Sequence, residues 1–265
     1  MKKSILFLGA LLLSASAFAH EHFLYTSKLD VSGENSIKMK AILGHPSSPG
    51  EKGNPLNIAT VDGETHLPKE FFVVHNNEKT DLLKNTKIGK VKTSTGDRVS
   101  IDATYGAEDG LKGTGSWVFV MDSGVTLDAG FTFNPVMKLI VTKDGAGSDF
   151  NMRVAEGHNE IVPLLNPVNA WKENVFRAKF VDKKGNPIKN ARVDIKYLNA
   201  KFDVNEDTWV GGNETVKTSV RVFTDDNGIF AFTPSRAGQW IIRAVEHMDR
   251  EKKEVRDASL VVQFE

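Results

Sequence analysis

Apolar and polar residues alternate with a period of two through most of this chain, a pattern that builds half-buried β-strands and not amphipathic helices. Ser36 to Leu43, Lys90 to Tyr105, Ser116 to Met121 and Val136 to Thr142 each read as a strand, with glycine-rich turns between them. Gly106 to Gly115 reads as a long surface loop. The alternation breaks at Pro163, Asn166 and Pro167 and then resumes in its most regular form, with Phe176, Ala178 and Phe180 set against Arg177 and Lys179. The turn Asp182-Lys183-Lys184-Gly185-Asn186-Pro187 leads into a strand from Ala191 to Leu198. Val220 to Thr224 and Ile229 to Thr233 flank Asp225-Asp226-Asn227-Gly228, which predicts a hairpin. Trp240 to Val245 and Ala258 to Phe264 complete the set. Short strands at this spacing predict an all-β chain of two tandem immunoglobulin-like β-sandwich domains, over 20–165 and 166–265.

The first nineteen residues follow another rule. Lys2 and Lys3 precede an apolar run from Ile5 to Leu13, and small residues then lead to Ala17-Phe18-Ala19. This is the pattern of a secretory signal peptide over 1–19, and the run falls short of the roughly 20 residues a membrane-spanning helix needs. No later stretch is apolar enough to span, so the exported chain is expected to be periplasmic and not membrane-embedded. The 265 residues contain no cysteine, which removes disulfides, thiolate metal sites, a cysteine nucleophile and a lipid anchor together. Lys+Arg and Asp+Glu both count 34, and loss of Lys2 and Lys3 leaves 32 against 34, a mature charge of about −2. A nucleic-acid partner is not expected from that balance.

Cleavage after Ala19 would begin the mature chain His20-Glu21-His22. Two binding modes follow. In the first, the free amine, two amide nitrogens and the imidazole of His22 enclose a metal in a square plane, which suits Cu(II) or Ni(II) and needs no fold. In the second, the amine and ring of His20 chelate the metal together with a distant histidine. Ala15-Ser16-Ala17 also fits the cleavage rule, and cutting there gives Phe18-Ala19-His20, again with histidine third. His45 follows a strand directly in Gly44-His45-Pro46, a natural place for a ligand. His158 lies just before the break between the halves, and His247 follows the Trp240 to Val245 strand. The candidate metal ligands are therefore His20, His22, His45, His158 and His247. The methionines Met39, Met121, Met137, Met152 and Met248 are dispersed, which favours a borderline divalent ion over a cuprous one. Asp225-Asp226-Asn227-Gly228 lacks the calcium-loop spacing, and no catalytic motif supports an enzyme.

Four stretches resemble a family of periplasmic domain-of-unknown-function proteins associated with nickel/cobalt uptake. Ala19-His20-Glu21-His22-Phe23 resembles its Ala-His opening, and Gly44-His45-Pro46 its His-Pro motif. Glu160-Ile161-Val162-Pro163-Leu164 with Asn166-Pro167 is similar to its mid-chain signature. Gly185-Asn186-Pro187-Ile188, Thr224 to Gly228 and Ala237-Gly238-Gln239-Trp240 look like its C-terminal sandwich. Ser47-Ser48-Pro49-Gly50 lacks the aromatic residue found beside the family's histidine. The resemblance implies a periplasmic carrier that captures a divalent transition metal, nickel or cobalt with copper or zinc as alternatives, either bare or chelated. It would pass the metal to a membrane transporter, and only His20, His22 and His45 carry over as ligands. The rival readings are a CopC-type copper carrier, a histidine-brace copper oxidase and a structural or adhesive β-sandwich.

Overall fold

The computed structural model describes residues 20–265 except 59, 62, 63, 129, 146–148, 169, 213–218 and 250. The leader expected over 1–19 lies outside the described residues. Among the described residues the regular structure is strand throughout, with short 3-10 turns and no α-helix. The all-β expectation holds.

Alternation decides which face each strand buries. Phe176, Ala178 and Phe180 are buried while Arg177 is exposed, as a strand with one wet face requires. One sheet has six strands in the order Glu21–Tyr25, Ser36–Gly44, Gly96–Gly106, Thr86–Thr93, Thr208–Gly211 and Ala200–Asp203. A second runs Ser219–Phe223, Arg192–Tyr197, Gly238–Asp249, Glu254–Phe264, Phe131–Lys143, Gly115–Asp122, Glu70–His75 and Glu78–Asp81, with Thr126–Asp128 paired onto Phe131–Lys143 as its ninth strand. A three-stranded sheet orders Glu160–Pro163, Phe176–Val181 and Ile229–Phe232, and Thr60–Val61 pairs with Glu64–Thr65.

The nine-stranded sheet is the middle layer of this sandwich. The six-stranded sheet packs on one face, where Tyr105 meets Phe119 edge-on with ring centroids 5.3 Å apart. The three-stranded sheet covers the other, through Phe176 on Phe264 at 5.9 Å and Phe232 on Trp240 at 6.0 Å. One hydrophobic cluster runs from Phe23 to Phe264, through both halves of the chain. The nine-stranded sheet also joins the halves, because Phe131–Lys143 pairs in parallel with Glu254–Phe264 from Thr132↔Glu254 to Leu139↔Val261. The hairpin Ala200–Asp203/Thr208–Gly211 extends the six-stranded sheet from the far side of the expected boundary at 165/166, touching its neighbour at Thr208↔Lys92.

Two local expectations are corrected. The stretch read as one strand from Lys90 to Tyr105 is a hairpin, Thr86–Thr93 reversing through Ser94 and Thr95 into Gly96–Gly106, with Gly96 at φ 108°. The turn Asp225–Gly228 forms, with Asp225 Oδ1 accepting from the Asn227 and Ile229 amides at 2.8 Å, but its flanking strands do not pair. Ser219–Phe223 pairs with Arg192–Tyr197 in the middle layer, whereas Ile229–Phe232 pairs with Phe176–Val181 in the outer one. The turn is a corner between layers. Gly228 is required there: its φ is 72°, and a Cβ would lie 2.6 Å from the Phe180 carbonyl oxygen.

Candidate metal centre

The strand Glu21–Tyr25 is buried along its whole length and forms the edge of the six-stranded sheet. It pairs antiparallel with Ser36–Gly44 in the register Glu21↔Gly44, His22↔Leu43, Phe23↔Ile42. The next rung in that register sets His20 opposite His45. Their ring centroids lie 4.3 Å apart at an interplanar angle of 76°, and both side chains are half-buried. Two residues separated by 25 positions in sequence thus form a cross-strand imidazole pair at the start of the described chain.

The loop that carries His45 is tightly tied. Ser48 N donates to the His45 carbonyl at 3.0 Å, Asn199 N donates to the Pro46 carbonyl at 2.7 Å, and Gly50 N donates to the Gly212 carbonyl at 2.8 Å. A Cβ at Gly53 would come within 2.3 Å of the Ser48 oxygen, so this loop closes only around glycine.

Beneath the first strand lies a face of the middle sheet that is charged and dry. Arg192, Asp194 and Lys196 point from one strand, Arg243 from the next and Asp257 from the third, and Asp194, Arg243 and Asp257 are buried. Lys196 Nζ meets the Glu21 carboxylate at 2.5 Å, and Arg221 Nε meets Asp194 at 2.6 Å. Arg243 Nε donates to Asp257 Oδ2 at 2.5 Å while its Nη1 donates to the His20 carbonyl at 3.0 Å. Burial pushes the Glu21 pKa up to about 7, against the opposing pull of Lys196 and Arg243. Burial alone would lower the Arg243 pKa, but Asp257 and Glu21 more than offset it and push it up.

Of the other candidates, the His22 and His158 rings are placed against other groups. His22 is 1% exposed, with its ring 5.7 Å from that of Phe133. His158 Nε2 lies 2.8 Å from Glu70 Oε2 and its Nδ1 3.9 Å from Asp122 Oδ2, at the rim of a cleft of about 510 Å³ lined also by Lys69, Glu246, Arg256 and Asp257. Burial would raise the Glu70 carboxyl, but hydrogen bonds with His158 and Lys79 hold it below the usual range. The backbone of His247 stands opposite Arg256, and its side chain lies outside the described residues. His75 stacks on Trp117 with centroids 3.9 Å apart and serves packing. Among the described residues no three His, Asp, Glu or Cys side chains converge as a metal-ligand set. Among the described side chains the structure brings together His20 and His45, while His22 and His158 stand apart. Sequence reasoning missed Arg243, Asp257 and Lys196, whose signal was a polar alternation of opposite signs on neighbouring strands.

A family model described as "Domain of unknown function (DUF4198)" matches residues 17–248. The chain belongs to the DUF4198 family. All five candidate histidines of this DUF4198 chain fall inside the matched residues. Among curated proteins no relative matches it. Solved structures similar to part of the DUF4198 chain include the Yersinia pseudotuberculosis adhesin InvE, 11% identical with a TM-score of 0.23 over 93% of this chain and 59% of that one. Dimeric latent PorU from Porphyromonas gingivalis is 10% identical, TM-score 0.24, over 92% of this chain and 20% of that one. The E. coli alpha-2-macroglobulin is 8% identical, TM-score 0.23, over 92% and 16%. The chain thus spans less than two thirds of each, and likenesses at these scores carry no argument about activity.

Proposed function

We propose that this DUF4198 protein is a periplasmic carrier for a divalent transition metal, nickel or cobalt, which it passes to a membrane uptake system. In this reading the chain is exported and cleaved after Ala19, so that His20 carries a free amine. The observation that carries the reading is the His20–His45 pair, two imidazoles 4.3 Å apart, one of them on the residue that would become the N terminus. The amine, the His20 ring and the His45 ring form a set of three nitrogens, which fits borderline divalent ions and not the oxygen-seeking Mg²⁺ or Ca²⁺.

The fold supports the second of the two binding modes. The square-planar mode needs the His22 ring and the first amides free to wrap one ion. His22 is instead buried against Phe133, and Glu21 is held in the sheet opposite Gly44. His158 is engaged with Glu70 at the cleft and stands outside this set.

Calorimetric titration of the mature protein, beginning at His20, with Ni(II), Co(II), Cu(II) and Zn(II) tests the proposal. Single-site binding is expected, weakened about tenfold or more by one extra N-terminal residue and by His45→Ala, and unchanged by His158→Ala. Affinity should fall with acidification, because amine and imidazole must lose protons to bind. A clear preference for copper would move the reading to a copper carrier. Binding that survives both the extension and His45→Ala, or no binding at all, overturns it.

A further inference from the structure

We infer that Arg243 is a positioning residue for the N-terminal metal site: anchored inside the middle sheet, it grips the His20 backbone and holds amine and ring against His45 before an ion arrives. The inference rests on the metal reading above. Arg243 is 1% exposed, and its guanidinium is a rigid planar fork. One limb is fixed by Asp257 Oδ2, which aims the other at the His20 carbonyl, 3.0 Å from Nη1. That carbonyl belongs to the residue just beyond the last rung of the ladder, Glu21↔Gly44, where a chain end otherwise frays.

Each of the three opening residues is held. His20 is gripped by Arg243, Glu21 by Lys196, and the His22 ring packs on Phe133, whose ring also lies 5.6 Å from the Arg243 guanidinium. The His45 loop is tied to the same half of the chain, through Asn199 and Gly212. Residues after 166 therefore fix both partners of the imidazole pair. A buried ion pair is a weak source of stability compared with apolar packing, so Arg243–Asp257 in the middle of a sheet is better explained by the direction it imposes. The grip has a chemical consequence as well. An N-terminal residue otherwise can chelate through amine and carbonyl oxygen, a set that accommodates harder ions. With its carbonyl oxygen turned toward the cationic Arg243 guanidinium, which competes with a metal for it, His20 chelates best through amine and imidazole, which favours the nitrogen-seeking metals.

The test uses the mature protein beginning at His20 and two variants. Arg243→Lys keeps a cation beside Asp257 but loses the second limb. Arg243→Met with Asp257→Leu removes the buried pair together, so that neither charge is stranded. Three quantities are measured well below the melting transition: Ni(II) affinity by calorimetry, the visible band of the Cu(II) complex, and aminopeptidase removal of His20 from metal-free protein. Both folded variants should bind Ni(II) about ten to a hundredfold more weakly, as loss of a group orienting a metal ligand does. The Cu(II) band should shift to lower energy as oxygen replaces nitrogen, and His20 should be trimmed faster than in the parent. A variant that melts earlier yet binds, absorbs and resists trimming like the parent overturns the positioning role. If the parent binds no metal but the variants are trimmed faster, the metal reading fails while the grip on His20 stands. Equal trimming in all three proteins overturns the grip itself.

Discussion

Glu21 sits between two histidines with its carboxyl sealed from water, and desolvation outweighs the attraction of Lys196 and Arg243, so its pKa rises to about 7. The unfolded chain holds this proton only below about 4.5. Between those values the folded protein binds more protons than the unfolded one, and stability from this group falls as pH rises. Its contribution is full below about 4.5 and is lost as pH climbs through 7. Glu21→Gln keeps the shape and removes the titration. Denaturant unfolding of both proteins with chelator present, from pH 4.5 to 8, should show the stability difference moving in favour of the glutamine by up to about 3 kcal/mol. A difference that stays flat across this range would mean that Lys196 neutralises the carboxylate fully. His20 and His45 show the matching limit on sequence reading. Their residue types and their places, at an expected cleavage site and after a strand, were legible as candidate ligand chemistry. The 4.3 Å contact depends on the antiparallel register of two strands, which pairs positions summing to 65, and no local pattern states that sum.

Strands were read correctly where one face is apolar and the other wet. Phe176, Ala178 and Phe180 met that condition and lie in the strand Phe176–Val181. Arg192, Asp194 and Lys196 display the same alternation with Val193 and Ile195, yet their charged face is not solvated, because the strand Glu21–Tyr25 lies over it. Alternation distinguishes two faces and does not say what covers them. The Asp225–Gly228 turn teaches the same lesson for connections, since a tight reversal does not oblige its strands to pair when two layers compete for them. Lys138 and Glu160 link elements in a way the sequence also concealed. Lys138 Nζ meets Glu160 Oε1 at 2.6 Å with both side chains buried, and Glu160 accepts from the Val154 and Ala155 amides as well. The pair ties the short strand Glu160–Pro163 to the middle layer. Lys138→Met strands a buried carboxylate and should cost about 3–5 kcal/mol in urea unfolding. Adding Glu160→Gln removes the stranded charge but keeps an acceptor for the amides, so the double variant should be the more stable of the two. A single variant that loses less than about 1 kcal/mol would show that water reaches the site.

At the scale of the whole molecule, the break at Pro163, Asn166 and Pro167 is a connection within the three-stranded outer sheet, between Glu160–Pro163 and Phe176–Val181, and the contacts that cross it are extensive. Thr132 to Leu139 pair with Glu254 to Val261, Thr208 pairs with Lys92, and one apolar cluster includes Phe23 and Trp117 together with Trp240 and Phe264. A sheet shared in this way cannot lose one half without exposing the core of the other. Unfolding is therefore expected to be a single cooperative transition, with amides in Gly115–Asp122 and in Gly238–Asp249 exchanging at the same global free energy. Two separable transitions would instead mean that 20–165 and 166–265 fold as independent domains. The same measurement reaches the function. The His20–His45 pair lies in the first half, while Arg243, Asn199 and Gly212 hold it from the second. An ion bound at His20 and His45 should then stabilise the whole chain at once. At a free Ni(II) concentration a hundred times the dissociation constant, both sets of amides should gain about 2.7 kcal/mol together. A gain confined to Gly115–Asp122 would separate the metal site from the strand Gly238–Asp249, which carries Arg243.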